Sequence, residues 1–419
     1  MTETHEADRK RLMLLLSPNT YRAGAFLDAA QRLGVEVVRC LDVPAGLDEW
    51  WDVPLAVDFT DLDSATARIV EYGRAHPVDA ILAVDDSATI LATRAAAALC
   101  LPHNPIEAAE AARDKGLMRT LFAAHGVPST VSRRFPLASD PREFADQVTF
   151  PAVVKPLRLS GSRGVIRADT PAELASAATR LKRLLLGEGY PLEGTDMLVE
   201  DFIPGFEVAL EGLLTDGRLR VLALFDKPDP LDGPFFEETI YVTPSRLSDA
   251  TQAAVADCAA RAAAAIGLRD GPVHAELRVA PDSPRMLEIA GRSIGGLCST
   301  ILEFGAGMCL EEIIVRHALG IAVPSFSRRG KAAGVMMIPI PRGGLLKAVH
   351  GEEAARAVPH VTGVEISAKL NYPIVPLPEG ASYLGFIFAR AADPATAEAA
   401  LRAAHAELRF EIKPLLAMA

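Results

Sequence analysis

Residues 273–292 read VHAELRVAPDSPRMLEIAGR, and the alternation in this stretch decides how the chain is built. One face of the first strand carries His274, Glu276 and Arg278; the other carries Val273, Ala275, Leu277 and Val279. PDSP is a turn signal, and the returning strand places Met286, Glu288 and Ala290 at alternate positions. A three-residue turn sets Glu276 directly opposite Glu288, with Cβ atoms about 4.5–5.5 Å apart, where like charges destabilise a pair. A hard divalent cation reverses that penalty, and carboxylate oxygens on a rigid sheet suit Mg²⁺ bound to a nucleotide phosphate. Taken alone, two solvated carboxylates on an exposed face is the better reading.

Two further segments upstream carry chemistry. FPAVVKP ends an apolar strand on Lys155, and Pro156 holds the exit extended, so the ammonium projects from the strand end. The loop that follows, Ser160-Gly161-Ser162-Arg163-Gly164, has backbone N–H groups suited to cradling phosphate. It matches neither GxxxxGK[ST] nor GxGxxG, and a short glycine loop is more often a surface turn. In VEDFIPGFEVALEG (199–212), Glu200, Asp201, Phe202 and Ile203 lie at a strand exit, where free backbone groups can meet a purine edge. Glu207 opens the next strand, where a carboxylate can accept ribose hydroxyls; an acidic edge strand gives the same pattern.

Around these segments, residues 12–115 alternate strands (RLMLLLS, VEVVRC, PLAVDF, DAILAVDD) with helices of amphipathic period, which predicts βαβ units and a parallel sheet. Ligands bind such sheets beyond the carboxyl ends of the strands, at Ser17-Pro18-Asn19 and Asp85-Asp86-Ser87. The middle region is strand-rich, with helices at 171–187 and near 248–266, and with MLVEDFI, EVALEGLL and RLRVLALF following one another as a meander. A third segment from near 325 has strands around 333–340, 361–370 and 383–390 and a closing helix at 393–408. The division expected is 1–112, 113–325 with a lid at about 128–200, and 326–419.

Composition narrows the function classes. The chain has 419 residues, half of them hydrophobic, enough for two or three domains with sizeable cores. A formal net charge of −11 argues against nucleic acid and anionic membrane as partners. The opening MTETHEADRK has no apolar signal core and no run is long enough to span a bilayer, so a cytoplasmic setting is expected. Cys40, Cys100, Cys258, Cys298 and Cys309 are scattered and read as buried small hydrophobes in a reducing compartment. HExxH, GxSxG and zinc-spaced Cys/His clusters are absent. The first strand–loop–helix, LLLSPNTYRAG, lacks the dinucleotide glycines, and Trp50-Trp51 reads as packing.

In this order the segments resemble the ATP-grasp superfamily. The resemblance runs from LPHNPIEAAEAARDKGLMRTLFAAHGVP through VVKP, SGSRG and VEDFIPGFE to AEL and EIAGR. It implies an ATP-grasp fold, α+β, preceded by a Rossmann-like α/β domain and followed by a small α+β domain. It also implies Lys115 and Lys155 on ATP phosphates, a glycine-rich lid, and Glu276 and Glu288 as ligands of Mg²⁺ (or Mn²⁺). Many members have Asn two residues beyond the second metal glutamate; here that position is Ala290.

Within the superfamily the chain is most similar to the carboxylate–amine ligases of the L-amino-acid ligase group. Arg292 stands where that group places an arginine for a carboxylate or acyl phosphate. DKPDPLDGPFFEETIYVTPS resembles its substrate-side insertion and brings Lys227, Glu238 and Tyr241. The resemblance implies amide formation between small carboxylate and amine substrates, with Glu238 or His274 as candidate bases and a homodimer as a possible assembly. The alternatives are an ATP-grasp ligase acting on purine-type or other phosphorylated intermediates, and a nucleotide-binding protein without turnover.

Overall fold

The computed structural model describes residues 9–18, 20–44, 46, 53–280 and 283–415; Asn19, Trp50, Trp51, Pro281, Asp282 and residues 1–8 lie outside them. Strands β1 (Arg11–Leu16), β2 (Glu36–Asp42), β3 (Leu55–Val57) and β4 (Ala80–Ala83) form a parallel sheet in the order β3-β2-β1-β4. The apolar run of β1 serves both faces. Leu12, Leu14 and Leu16 pack with Phe26 and Ala30 on one side, while Met13 and Leu15 pack with Ile69, Leu91 and Ala95 on the other. A strand buried on both faces needs this continuous hydrophobicity.

A second sheet holds β5 (Ser132–Pro136), β6 (Ala152–Pro156), β7 (Ile166–Ala168) and β8 (Asp196–Asp201), antiparallel in the order β5-β8-β6-β7. The helix Pro171–Gly187 covers it, burying Leu174, Leu181 and Leu185 against Val154, Ile166 and Val199. Thr170 caps that helix by accepting from the Glu173 N–H. The expected three-strand meander is therefore corrected. Segment 197–201 belongs to this sheet, and only β9 (Phe206–Thr215) and β10 (Arg218–Lys227) pair as a hairpin. The chain changes sheets at Gly205, whose φ of +121° and close approach to the Val279 carbonyl leave no room for a Cβ.

The third sheet has eight strands. With β11 (Ile240–Thr243), β12 (Gly271–Ala280), β13 (Ser283–Ala290), β14 (Ala332–Ile338), β15 (Gly344–His350), β16 (Val361–Ile366), β17 (Pro373–Ile374), β18 (Gly385–Ala391) and β19 (Arg409–Lys413), its order is β13-β12-β9-β10-β11-β14-β18-β16. Strands from both sides of position 325 thus share one sheet through β11 and β14, while β17-β15-β19 form a separate small one. The alanine-rich helix Asp249–Ile266, capped by Ser248 and ended by left-handed Gly267, packs Ala259, Ala262 and Ala263 against Val208, Val273, Ala275 and Leu277. Small alanines let the helix lie close to the sheet. The opposite face of the same strands carries Glu207, Glu211, His274, Glu276 and Arg278, as the period of two requires.

Glu276 and Glu288 are directly opposed, but not through a three-residue turn. Ala280 already pairs with Ser283, and an irregularity between Glu276 and Leu277 shifts the register to bring the carboxylates together. The cysteine reading also needs correction: Cys40, Cys258 and Cys298 are buried, Cys309 is half-buried, and Cys100 is exposed at a left-handed turn after the helix Thr89–Ala98.

Gly205→Ala should cost at least about 2 kcal/mol because the new Cβ meets backbone in a strained conformation, read as a lower melting temperature. Gly187→Ala, at an exposed helix end with nothing near its Cβ position, should leave stability equal or slightly raised in the same measurement.

Candidate active site

The three sheets enclose a cavity of about 440 Å³. Its walls include Lys115, Lys155, Ser160, Gly161, Ser162, Glu200, Asp201, Phe202, Ile203, Glu207, Glu238, His274, Glu276, Glu288 and Arg292, so the motifs that are far apart in sequence converge. Arg163 and Gly164 do not line it. The Arg163 guanidinium grips Glu188 at 2.6 Å and donates to the Glu379 carbonyl at 2.9 Å, and the Gly164 N–H donates to the Pro378 carbonyl at 2.8 Å. The outer half of the glycine loop is therefore fastened to the loop before β18. Arg180, on the helix over the second sheet, adds a fork to the Glu379 carboxylate at 2.6 and 2.8 Å.

At one end lies a buried cation–anion group. Glu200 accepts from the Arg119 Nε at 2.7 Å and pairs with the Lys155 ammonium. Burial alone would raise the Glu200 pKa, but the charges of Arg119 and Lys155 outweigh it and hold the carboxylate ionised. Glu200 is thus committed to positioning Lys155. Next to it Phe202 stacks on Phe236 with ring centroids 6.4 Å apart, and the Arg167 and Arg278 guanidinium groups lie 4.4 and 5.3 Å from the Phe202 ring.

In the middle, opposite charges face each other across neighbouring strands: Glu207 is in register with Arg278 and with Lys227, and Glu211 with His274. Lys227, 2% exposed, has its ammonium 2.8 Å from Glu207, 2.5 Å from Glu238 and 3.1 Å from Glu276. Burial would lower its pKa, but the three carboxylates raise it well above the usual lysine value. The other oxygen of Glu207 takes the Arg278 guanidinium at 2.9 Å, so both are engaged. His274 is held between Glu211 and Glu276, its Nε2 3.2 Å from the latter. Burial opposes the imidazolium, yet Glu211 and Glu276 push the His274 pKa up to about 9. A ring that is protonated at neutral pH with both nitrogens engaged has no lone pair for a base to use.

Glu288 turns toward Lys115, 3.2 Å away, and the Lys115 ammonium also donates to the Leu159 carbonyl at 2.8 Å. Beyond them Arg292 donates to Asp86 at 2.7 Å and to the Ser293 carbonyl at 3.0 Å. Asp86 is buried, which would raise its pKa, but Arg292 and Arg113 hold it well below the usual carboxylate range. Asp85, Asp86 and Ser87 all reach the cavity, as expected of the carboxyl edge of the first sheet, whereas Ser17 and Pro18 are not among its walls and Asn19 lies outside the described residues.

A divalent cation fits this chemistry. One oxygen each of Glu207, Glu238 and Glu276 lie within 4.8 Å of one another, gathered on the Lys227 ammonium, so the carboxylates left for a cation are Glu276 and Glu288, opposed in register. Both offer hard oxygen donors on a cavity wall that also carries Lys115 and Lys155.

An ATP-grasp domain model matches residues 148–301, an ATP-grasp N-terminal domain matches 27–103, and an L-amino acid ligase C-terminal domain matches 336–413. The crystal structure of L-amino acid ligase from Bacillus licheniformis superposes with a TM-score of 0.82 at 26% identity, over 97% of this chain and 99% of that one. The chain belongs to the ATP-grasp family. It is similar to the L-amino-acid ligase group within it, and the fold is the ATP-grasp fold with a Rossmann-like domain before it and an α+β domain after it. Alanine–anticapsin ligase of Bacillus subtilis is 25% identical over 56% of this chain and 52% of its own length. Carnosine synthase 1 of Homo sapiens is 30% identical over 66% of this chain and 36% of its own. The chain thus spans about half the length of the first of these and about a third of the second. No helix among the described residues is long and apolar enough to cross a membrane.

Several wall residues were not found by sequence reading: Arg22, Arg113, Phe236, Met337, Tyr383 and Phe386. Arg113 and Phe236 lie inside segments that carry the resemblance but were not singled out there; Arg22, Met337, Tyr383 and Phe386 lie in none of them. Met337 and Phe386 are core residues of alternating strands, and the packing of β14 and β18 beside the site puts them in the layer that backs the cavity wall.

Glu200→Gln keeps shape but leaves the buried Arg119 and Lys155 without a counter-charge. A loss of about 3–5 kcal/mol is expected, read by denaturant or thermal melting.

Proposed function

We propose that the protein is an ATP-dependent carboxylate–amine ligase that joins amino-acid substrates through an acyl phosphate, releasing ADP and phosphate. The observation that carries this reading is the convergence of Lys115, Lys155, the opposed Glu276 and Glu288, and Arg292 on one cavity. The family membership and the ligases among its relatives support it.

In this reading the adenine of ATP lies along the strand exit at Asp201, Phe202 and Ile203. Its phosphates run past Ser160, Gly161 and Ser162 toward Lys155 and Lys115. Glu276 and Glu288 would hold Mg²⁺, whose chemistry is neutralisation of the phosphoryl oxygens during transfer. The substrate carboxylate, oriented by the Arg292 fork, attacks the γ-phosphorus to give acyl phosphate and ADP. The amine then attacks the acyl carbon and expels phosphate. Lys227 keeps Glu207, Glu238 and Glu276 from repelling one another. Glu238 has its pKa raised by burial and by the Glu276 charge, which makes it the better of the two base candidates; His274 serves as a charged strut. The glycine loop, fastened at Arg163 and Gly164, shields the acyl phosphate from water.

The reading is tested by combining ATP and Mg²⁺ with pairs of amino acids and small carboxylates, measuring phosphate release and identifying products by mass. Amide products support it; a requirement for formate, bicarbonate or a phosphorylated acceptor would assign the site to another ATP-grasp reaction. Nucleotide binding without release under any pair would leave a binding protein. Glu288→Gln should reduce Mg²⁺-dependent ADP formation by at least about 100-fold while the circular dichroism spectrum is unchanged, because a carboxylate ligand is lost. Arg292→Lys keeps the charge but loses the fork, so the KM for the carboxylate should rise or kcat fall by about 10-fold or more, with the KM for ATP little changed.

A further inference from the structure

Arg22, on the Rossmann-like domain at the start of the helix Ala23–Arg32, is 3% exposed. A buried guanidinium needs acceptors, and this one takes them from two separate segments. One arm donates to the Val84 carbonyl, just past the end of β4. The same arm reaches the Ser293 carbonyl at 3.3 Å, and the other arm donates to the Ser293 hydroxyl. Val84 stands two residues before Asp86, and Ser293 directly follows Arg292. Arg22 therefore ties together the two backbones that carry the Asp86–Arg292 pair, whose charged atoms are 2.7 Å apart. The Ser293 carbonyl is also an acceptor of Arg292 itself, at 3.0 Å. One residue further, the Ile294 N–H donates to Glu211 at 3.0 Å, so the backbone after Arg292 is held by two domains at once.

We infer that Arg22 is a positioning residue for the substrate carboxylate, because it fixes both the peptide behind the Arg292 fork and the strand end that carries Asp86. This role rests on the ligase reading above and adds to it a residue of the first domain. Arg292 can grip a planar anion through two N–H groups only if its own plane is fixed. Asp86 fixes one arm, and the Ser293 carbonyl, which Arg22 also holds, fixes another. The contact is costly. The Arg22 Nε has no hydrogen-bond partner among the described residues, and burial and the Arg292 charge lower the Arg22 pKa against the pull of Glu311, Asp85 and Glu211. What it supplies is position. A lysine in its place keeps the charge, but a single ammonium lacks the planar fork that spans Val84 and Ser293 together. A misplacement of about 1 Å at a substrate-orienting group can cost on the order of 100-fold in rate.

The test measures kcat and KM for the acid and for ATP in the full chain as wild type, Arg22→Lys, Arg292→Lys and the double variant. ATP, Mg²⁺ and the acid–amine pair that the wild type turns over best are used throughout. Arg22→Lys should lower kcat/KM for the acid by about 10-fold or more, with the KM for ATP little changed. Because Arg22 acts through Arg292, the same substitution should cost less than about 3-fold in the Arg292→Lys background. Equal losses in the two backgrounds, or a KM for ATP that worsens in step with that for the acid, would overturn the inference and leave the ligase reading standing. Should Arg22→Lys fail to fold, Ser293→Ala carries the test, since it removes only the hydroxyl contact. It should raise the KM for the acid by about 2- to 5-fold and have no such effect in the Arg292→Lys background, the size expected of one lost hydrogen bond. Acid kinetics equal to wild type in that variant would overturn the inference as well. A wild-type protein that releases no phosphate with any acid would take down the ligase reading and, with it, this role of Arg22.

Discussion

Carboxylates crowded onto adjacent antiparallel strands repel one another, and the centre of this protein is arranged so that each buried glutamate meets a cation. Glu276 and Glu288 are kept ionised by being given separate cations: Lys227 and His274 for the first, Lys115 for the second. Burial would push the Glu276 carboxyl up, yet the Lys227 ammonium and the His274 hydrogen bond bring it down to about 2. The pair is thus preserved as a set of charged oxygens in a place where an isolated carboxylate would take up a proton.

The same constraint explains the shape of the charge network. Each cation is itself buried and needs more than one anion or carbonyl. Lys227 draws in Glu207 and Glu238, Glu207 draws in Arg278, and Lys115 reaches the Leu159 carbonyl. Arg292 extends the chain of pairs to Asp86 on the first sheet, so the Rossmann-like domain supplies part of the active-site wall. Buried pairs of this kind add little net stability, because desolvation offsets attraction, but removing one member leaves a bare charge. Their effect is positional. They hold Lys115, Lys155 and Arg292 on the cavity wall, and the glycine loop is fastened beside the same space through Glu379.

Much of this was legible in order and spacing. The strands and helices of the first sheet, the helices at 171–187 and 248–266, and the two faces of β12 follow from periods of two and 3.6 that the residues state directly. Long-range partners were not legible. Residues 197–201 look like the first arm of a meander, yet pair with β5 and β6, because pairing depends on which strand edge the Gly205 turn leaves available. Arg163 looks like a phosphate ligand from its loop but is spent on Glu188 and the Glu379 carbonyl, a residue 216 positions away. Met337 and Phe386 look like core and are core, and they back the cavity wall because β14 and β18 extend the sheet that carries the carboxylates.

What the residues determined unaided is the inventory: which side chains alternate to one face, where the chain must turn, and which lysines, glutamates and arginine are set at family spacing. Tertiary structure decided the pairings. The opposition of Glu276 and Glu288 comes from an irregularity in the ladder and not from the turn length, and each carboxylate's cation arrives from a different strand or helix. The physical reason is that periodicity is a local property of φ and ψ, whereas a buried charge selects its partner from whatever the folded sheets bring within a few ångströms of it.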